Sequence, residues 1–131
     1  MFNTIHTSAA NKGIVTDLTR RLNLGPENTI ARIALAYSLS KGRILQLNEI
    51  QDSKGKEYSQ KVLFGNNSHI YIALISQHYG IYKTDKDIPR YIKMHIDDGL
   101  QMINDELEKN PNLTGFDFLL SKIESGLLYF K

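Results

Sequence analysis

At 131 residues, with 41% apolar and 23% charged side chains, the chain is long enough to close one core of its own and reads as a single domain over 1–131. It has no cysteine, which removes disulfides, thiolate nucleophiles, iron–sulfur ligation and cysteine-based zinc sites together and fits a reducing compartment. Net charge is only +2, but residues 1–65 hold nine Lys/Arg against five Asp/Glu and residues 66–131 hold seven against nine, an asymmetry that points to a polyanion-facing surface on the first half.

The opening Met1-Phe-Asn-Thr-Ile-His-Thr-Ser8 has neither the basic region nor the apolar run of a signal peptide. No segment approaches the roughly 18 apolar residues of a membrane span, so the cytoplasm is expected and no membrane contact. A first helix is predicted from about Ser8, as its cap, to Leu22, with Val15, Leu18 and Leu22 at helical spacing. Lys12, Thr16 and Arg20 lie four apart and share its exposed face. Gly25 suits a left-handed helix end, Pro26 the first turn of a second helix, and Glu27 the positive end of that helix. The second helix runs to about Ser40 and is apolar almost all round, with Ile30, Ile33, Ala34 and Tyr37 on one face and Leu35 and Leu39 extending it. Such a helix must be buried by its own chain or by another copy.

After Gly42, the segments Ile44–Gln51 and Lys56–Phe64 flank the turn-like Asp52-Ser-Lys-Gly55, predicting a β-hairpin or an extended excursion with Lys54 and Lys56 at its tip. A third helix follows Gly65, capped by Asn67 or Ser68, carries Ile70, Ala73, Leu74 and Ile75, and ends near Gly80. A fourth and longest helix spans Ile88 to Lys109, with Asp87 as cap and Ile88, Ile92, Ile96, Ile103 and Leu107 as its buried stripe. Asp97, Asp98, Asp105, Glu106 and Glu108 read as its solvated face. Asn110-Pro111 ends it, and a last helix follows Thr114, with Asp117 three residues on and Phe116, Leu119, Leu120 and Ile123 inward. The expected fold is mainly α: a compact helical domain of about five helices with a small β-hairpin or extended excursion near residues 44–64.

Convergent chemistry is scarce. No pair of the four histidines, His6, His69, His78 and His95, has the spacing of a helical metal site. No phosphate-cradling glycine loop, dinucleotide fingerprint or serine nucleophile elbow is present, and no cofactor is expected. His95 and Asp98, three apart on one helix, read as a surface pair before a catalytic dyad. Arg32, alone in an apolar helix, needs a partner: a carboxylate such as Asp17 or Glu27, or a phosphate. The tyrosines (Tyr37, Tyr58, Tyr71, Tyr79, Tyr82, Tyr91, Tyr129) read as core-edge residues with a wet hydroxyl, though they could stack on bases.

Asn28-Thr-Ile-Ala-Arg-Ile-Ala34 after a Gly-Pro turn, Gly55-Lys-Glu-Tyr58, Val62-Leu-Phe-Gly65 and His95-Ile-Asp-Asp-Gly-Leu100 together, in this order and spacing over residues 10–125, resemble the DndE family. That family is the small subunit of the bacterial DNA phosphorothioation system, which replaces a non-bridging backbone oxygen with sulfur. Other subunits of the system resemble cysteine desulfurases, ATP-dependent sulfotransferase-like enzymes and structural-maintenance-type ATPases. The resemblance implies a small, mostly helical, homotetrameric protein associated with nicked duplex DNA. A chain without cysteine does not carry the sulfur, so the expectation is a non-enzymatic subunit working with the other subunits of a DNA sulfur modification complex. Its expected DNA surface is Lys12, Arg20, Arg21, Lys41 and Arg43, in regions matching the family's lysine-rich face, with Lys54 and Lys56 at the excursion tip. Helices 1 and 2 are expected to pack the copies together. Two rivals stand beside this: a protein–protein adaptor or scaffold with no direct DNA role, and a hydrolase of DNA ends using His95 with Asp97 or Asp98.

Overall fold

The computed structural model describes residues 3–128, with side chains through Glu124. Tyr129, among the tyrosines noted above, lies outside the described residues. Strand β1 (Thr4–His6) is followed by α1 (Ala9–Leu22), α2 (Glu27–Ser40), β2 (Glu57–Ser59), the short α3 (Gln60–Phe64), α4 (Ser68–Tyr79), α5 (Ile88–Lys109) and α6 (Gly115–Leu128). Single 3-10 turns occur at Leu47–Glu49 and Gly65–Asn67. Over the described residues the chain is thus mainly helical, with five long helices and one two-stranded antiparallel sheet.

Helices α2 and α5 form the central pair. Ile30, Ala31, Ala34 and Leu35 on α2 face Ile92, Ile96, Leu100 and Ile103 on α5, all fully buried. The contact is close because Gly99 passes directly under the backbone of Ala34, where a Cβ would collide with the Ala34 carbonyl. Burying each Ile or Leu in such a seam contributes about 1.5–3 kcal/mol. The α5 limits and its isoleucine stripe are those expected from the sequence.

Other expectations need correction. The residue in the left-handed region at the end of α1 is Asn23, with φ 51°, while Gly25 takes φ 133° in the following turn and Pro26 stands one residue before α2. Asn tolerates that region through its short polar side chain. The segment after Gly42 is the extended alternative rather than a hairpin. Its second arm pairs with the chain's own start, Thr4 opposite Ser59, Ile5 opposite Tyr58 and His6 opposite Glu57. Ile5 and Tyr58 are both buried, whereas Ile44 is 56% exposed, so the first arm has no apolar face to anchor a hairpin. Ser59 Oγ accepts from Val62 N (3.2 Å) and turns the chain into α3, burying Leu63 and Phe64.

On α4 the buried side is Ile72, Ile75 and Ser76, leaving Ile70, Ala73 and Leu74 outside. Among the described side chains of α6, Gly115 and Phe118 are buried and Leu119 is half-buried, with Phe116, Leu120 and Ile123 outside. Both helices are apolar on two sides, so periodicity alone does not choose which side turns inward. The Thr114 cap of α6 is as expected: its hydroxyl accepts from Asp117 N (3.1 Å).

Candidate nucleic-acid interface

The expected cations divide by what holds them. Lys12, Thr16 and Arg20 do line an exposed face of α1. Lys12 forms no ion pair among the described residues, and Arg20 bonds Asp17 one turn away (3.0 Å), both fully in solvent reach. Exposed pairs of this kind contribute about 0–1 kcal/mol, so Arg20 is readily released to another anion. Lys54 lies by the start of α1, at the opposite end from Arg20: its neighbour Asp52 accepts from Ala9 N (2.9 Å) and from Lys54 N itself (3.0 Å), and the Lys54 side chain is exposed. Those two amides hold the Asp52 carboxyl below its ordinary range, the Ala9 amide foremost.

The remaining expected cations each have a partner within the chain. Arg21 donates to the carbonyls of Leu107 and Asn110 (3.0 Å each), closing the C-terminus of α5. Arg43 Nε meets Asp98 Oδ2 at 2.9 Å. Lys56 lies 3.6 Å from Glu27, and Lys41 is exposed with its ammonium 5.2 Å from the Tyr37 ring centre. Arg32 finds neither expected carboxylate: Asp17 is taken by Arg20, and Glu27 by Lys56 and by the Tyr58 hydroxyl (3.3 Å). Instead its guanidinium donates to Thr29 Oγ1 (3.1 Å) and stays half-exposed. Exposed Lys61, Lys83 and Lys86 are absent from the expected set; Lys83 and Lys86 sit in the connection between α4 and α5, the place where unpaired cations accumulate.

Beneath this surface lies a buried polar layer on the N-terminal half of α5, and here the solvated-face reading of Asp97 is corrected. Asp97 is 2% exposed. Its Oδ2 takes Lys93 Nζ (2.6 Å), and its Oδ1 takes Ser8 N (3.0 Å) and Asn11 Nδ2 (2.7 Å). Ser8 occupies the cap position of α1, but its hydroxyl is buried without a partner; the carboxylates of Asp97 and Asp52 cap the helix instead. Asp105 and Glu108 are in solvent as expected, and Glu106 is bound by Lys122 (2.8 Å) and Tyr37 (3.0 Å).

His95 is buried and joins Asp98 through Ser38 rather than directly. Ser38 Oγ donates to Asp98 Oδ2 (2.6 Å), so His95 Nδ1 carries the proton it gives to the Ser38 oxygen (2.7 Å). His95 Nε2 then accepts from the Tyr79 hydroxyl (2.6 Å), whose oxygen accepts from Leu45 N (3.0 Å). Burial first, and the neighbouring His78 second, push His95 down to about 4. Both ring nitrogens are occupied and the serine proton points away from the imidazole, so the chain of bonds ties Leu45, α2 and α4 to α5. Among the described residues, no group of three His, Asp or Glu is placed to hold a metal ion.

Two of the four segments that carry the resemblance meet at this layer: His95, Asp97, Asp98 and Gly99 hold the seam, and Gly55 packs against the Thr7 and Ser8 backbone. The sequence model of the family described as DNA sulphur modification protein DndE matches residues 4–110. No curated protein sequence matches the chain. The fold is similar to the crystal structure of DndE from Escherichia coli B7A, involved in DNA phosphorothioation modification: TM-score 0.64 at 14% identity, covering 79% of this chain and 98% of that one. It is equally similar to a crystal structure of a DndE G21/24K mutant involved in DNA phosphorothioation, with TM-score 0.64 at 14% identity over 78% of this chain and 97% of the other.

Proposed function

The chain belongs to the DndE family, and from that premise we propose that it is a non-catalytic, cytoplasmic subunit of a DNA sulfur modification (phosphorothioation) complex that grips duplex DNA by its phosphates. The observation that supports this reading is the exposed face of α1, where Lys12, Arg20 and the adjacent Lys54 have no strong internal claim on their charge. Lysines and arginines acting on phosphates give affinity without base readout, so binding is sequence-tolerant and steep in salt. A nick is preferred because an interrupted strand bends at little elastic cost. The protein acts as a homotetramer, which multiplies a modest cationic face.

The test is a salt titration of binding to labelled intact and singly nicked duplex. Each lost phosphate contact should lower the log–log salt slope by about 1. Combined Lys12→Glu, Arg20→Glu and Lys54→Glu should abolish binding and leave folding intact. Arg21 and Arg43 are poor probes, since their loss also removes the bonds that close the end of α5 and hold the half-buried Asp98.

A second reading has its own support. Only part of the expected cation set is free, while α4 and α6 turn apolar faces outward, as in an adaptor that docks on protein subunits. Binding of a large modification subunit by the triple Glu variant, with no DNA affinity in the unmodified chain even at low salt, would establish the adaptor instead.

A further inference from the structure

Every described tyrosine but one is buried or half-buried and gives its ring or hydroxyl to a neighbour. Tyr37 meets Glu106, Tyr58 meets Glu27, Tyr71 stacks on Phe64, and Tyr79 meets His95 and stacks on Tyr91. Tyr82 is the exception. At 86% it is the most exposed large apolar side chain among the described residues, and it has no ring or hydrogen-bond partner there. Nor does it hang on a loose end. Ile81 N donates to Ser76 O (3.0 Å) past the left-handed Gly80, Asp85 N donates to Tyr82 O itself (3.0 Å), and Asp87 N donates to Asp85 Oδ1 (2.8 Å). Half-buried Ile81 packs this α4–α5 turn on the core. The backbone therefore holds the ring outward before anything binds, which cuts the ordering cost of a contact.

The charge beside the ring is positive. Lys83 and Lys86 are exposed and make no ion pair among the described residues, and exposed Arg90 meets only Asp87 (3.3 Å). The carboxylates of the turn, Asp85 and Asp87, are half-buried and already hold an amide and Arg90. Arg90 precedes Lys93 by three residues and Asp97 by seven, so it lies on the side of α5 that Asp97 presents to Ser8 and Asn11, about 10 Å further along the axis. Asp52, which holds Lys54 N, is within electrostatic reach of Lys93 on that same side. The turn thus continues the cation surface found at the start of α1. A fixed aromatic ring among unpaired lysines offers a π-face and counter-charges together, which is what an unstacked nucleobase and its flanking phosphates need. Lysine is depleted from the cores of protein–protein interfaces, which disfavours a protein occupant. We propose that Tyr82 stacks on a nucleobase opened at a break in the duplex, with Lys83 and Lys86 on the phosphates beside it. Bases inside an intact duplex present no free face, so the contact discriminates nicked from intact DNA through one side chain.

This rests on the duplex-binding reading and adds to it a residue that reads the break. The test is a titration of the full chain with labelled intact and singly nicked duplex at several salt concentrations. Tyr82→Ala should weaken binding to nicked duplex at least about fivefold and leave intact duplex unchanged. Its salt slope should stay the same, because a stacking contact releases no counterions. Tyr82→Phe should keep the unmodified affinity, and Lys83→Glu with Lys86→Glu should lower the slope by about 2. The chain has no tryptophan, so Tyr82→Trp places a single reporter whose emission nicked duplex should quench and intact duplex should not. All of these side chains are exposed, so the variants should unfold at the unmodified midpoint. Unchanged nicked-duplex affinity in Tyr82→Ala, equal losses on both duplexes, or Tyr82→Trp emission indifferent to the nick would each overturn the proposal. So would a Tyr82→Ala variant that binds nicked DNA normally and loses a modification subunit, which assigns the ring to a protein. If binding is lost with Lys12→Glu, Arg20→Glu and Lys54→Glu but untouched by Tyr82→Ala, the phosphate grip stands and the stacking falls. An unmodified chain that binds neither duplex at low salt overturns the duplex-binding reading, and the stacking with it.

Discussion

The two halves of α5 hold their neighbours by opposite means. From Ile88 to Gly99 the helix buries Lys93, His95 and Asp97 among its isoleucines and reaches α1, α2 and α4 through hydrogen bonds with fixed donors and acceptors. From Leu100 to Lys109 it buries Leu100, Ile103 and Leu107 and leaves its charges at the edge, where Glu106 meets Lys122. Apolar packing is tolerant of small slides; a carboxylate that must meet Ser8 N, Asn11 and Lys93 at once is not. The second half supplies adhesion, and the first half sets register.

Substitutions can break this contrast. Asp97→Ala leaves Lys93 buried without a partner and strips Ser8 N and Asn11 of their acceptor, and should lower unfolding free energy by about 3–5 kcal/mol in a denaturant titration. A loss below about 1 kcal/mol, the range of an exposed pair, would contradict the register role. Ile103→Ala in the apolar half should cost about 2–5 kcal/mol through a cavity alone, with the α1 amides still protected from hydrogen exchange; in Asp97→Ala those amides should exchange fastest. The contrast sharpens with pH. The unfolded chain protonates His95 near the ordinary 6.5, the folded chain only at about 4. Between those values the unfolded state binds the extra proton, so stability is full above 6.5 and falls with acidification by about 1.4 kcal/mol per pH unit. His95→Gln should remove that slope while Ile103→Ala keeps it, as followed by urea midpoints from pH 7 to 4.5. The smallest effect is expected at the edge: Lys122→Met should cost at most about 1 kcal/mol, because the Lys122–Glu106 pair is only partly withdrawn from water.

What was legible in the sequence follows the same division. Helix limits set by local breaks, Gly25-Pro26, Asp87 to Pro89 and Asn110-Pro111, stood within a residue or two of the observed ends, because a helix stops for reasons carried by its own residues. The α5 stripe was legible because polar residues punctuate it. The inward sides of α4 and α6 were not, since both of their sides are apolar and the choice is made by what α5 and Tyr37 offer. Asp97 was misjudged because a charge in sequence looks like solvent; the residues that make its burial tolerable, Ser8 and Asn11, are 89 and 86 positions away. The cation face was legible at Lys12, Thr16 and Arg20, where the four-residue spacing is itself the geometry. It was not at Arg21 and Arg43, whose partners on α5 lie far off in the chain.

The start of α1 has a consequence for how the chain is made. Its two caps are carboxylates at positions 52 and 97, and β1 waits for a partner at 57–59. Residues 4–9 thus cannot close their own helix end or pair their own strand until residues 52–59 and 97 have followed them out of the ribosome. Contacts of such long sequence separation form late. The β1–α1 segment is made before the residues that complete it, and it is fixed in place only once α5 has emerged.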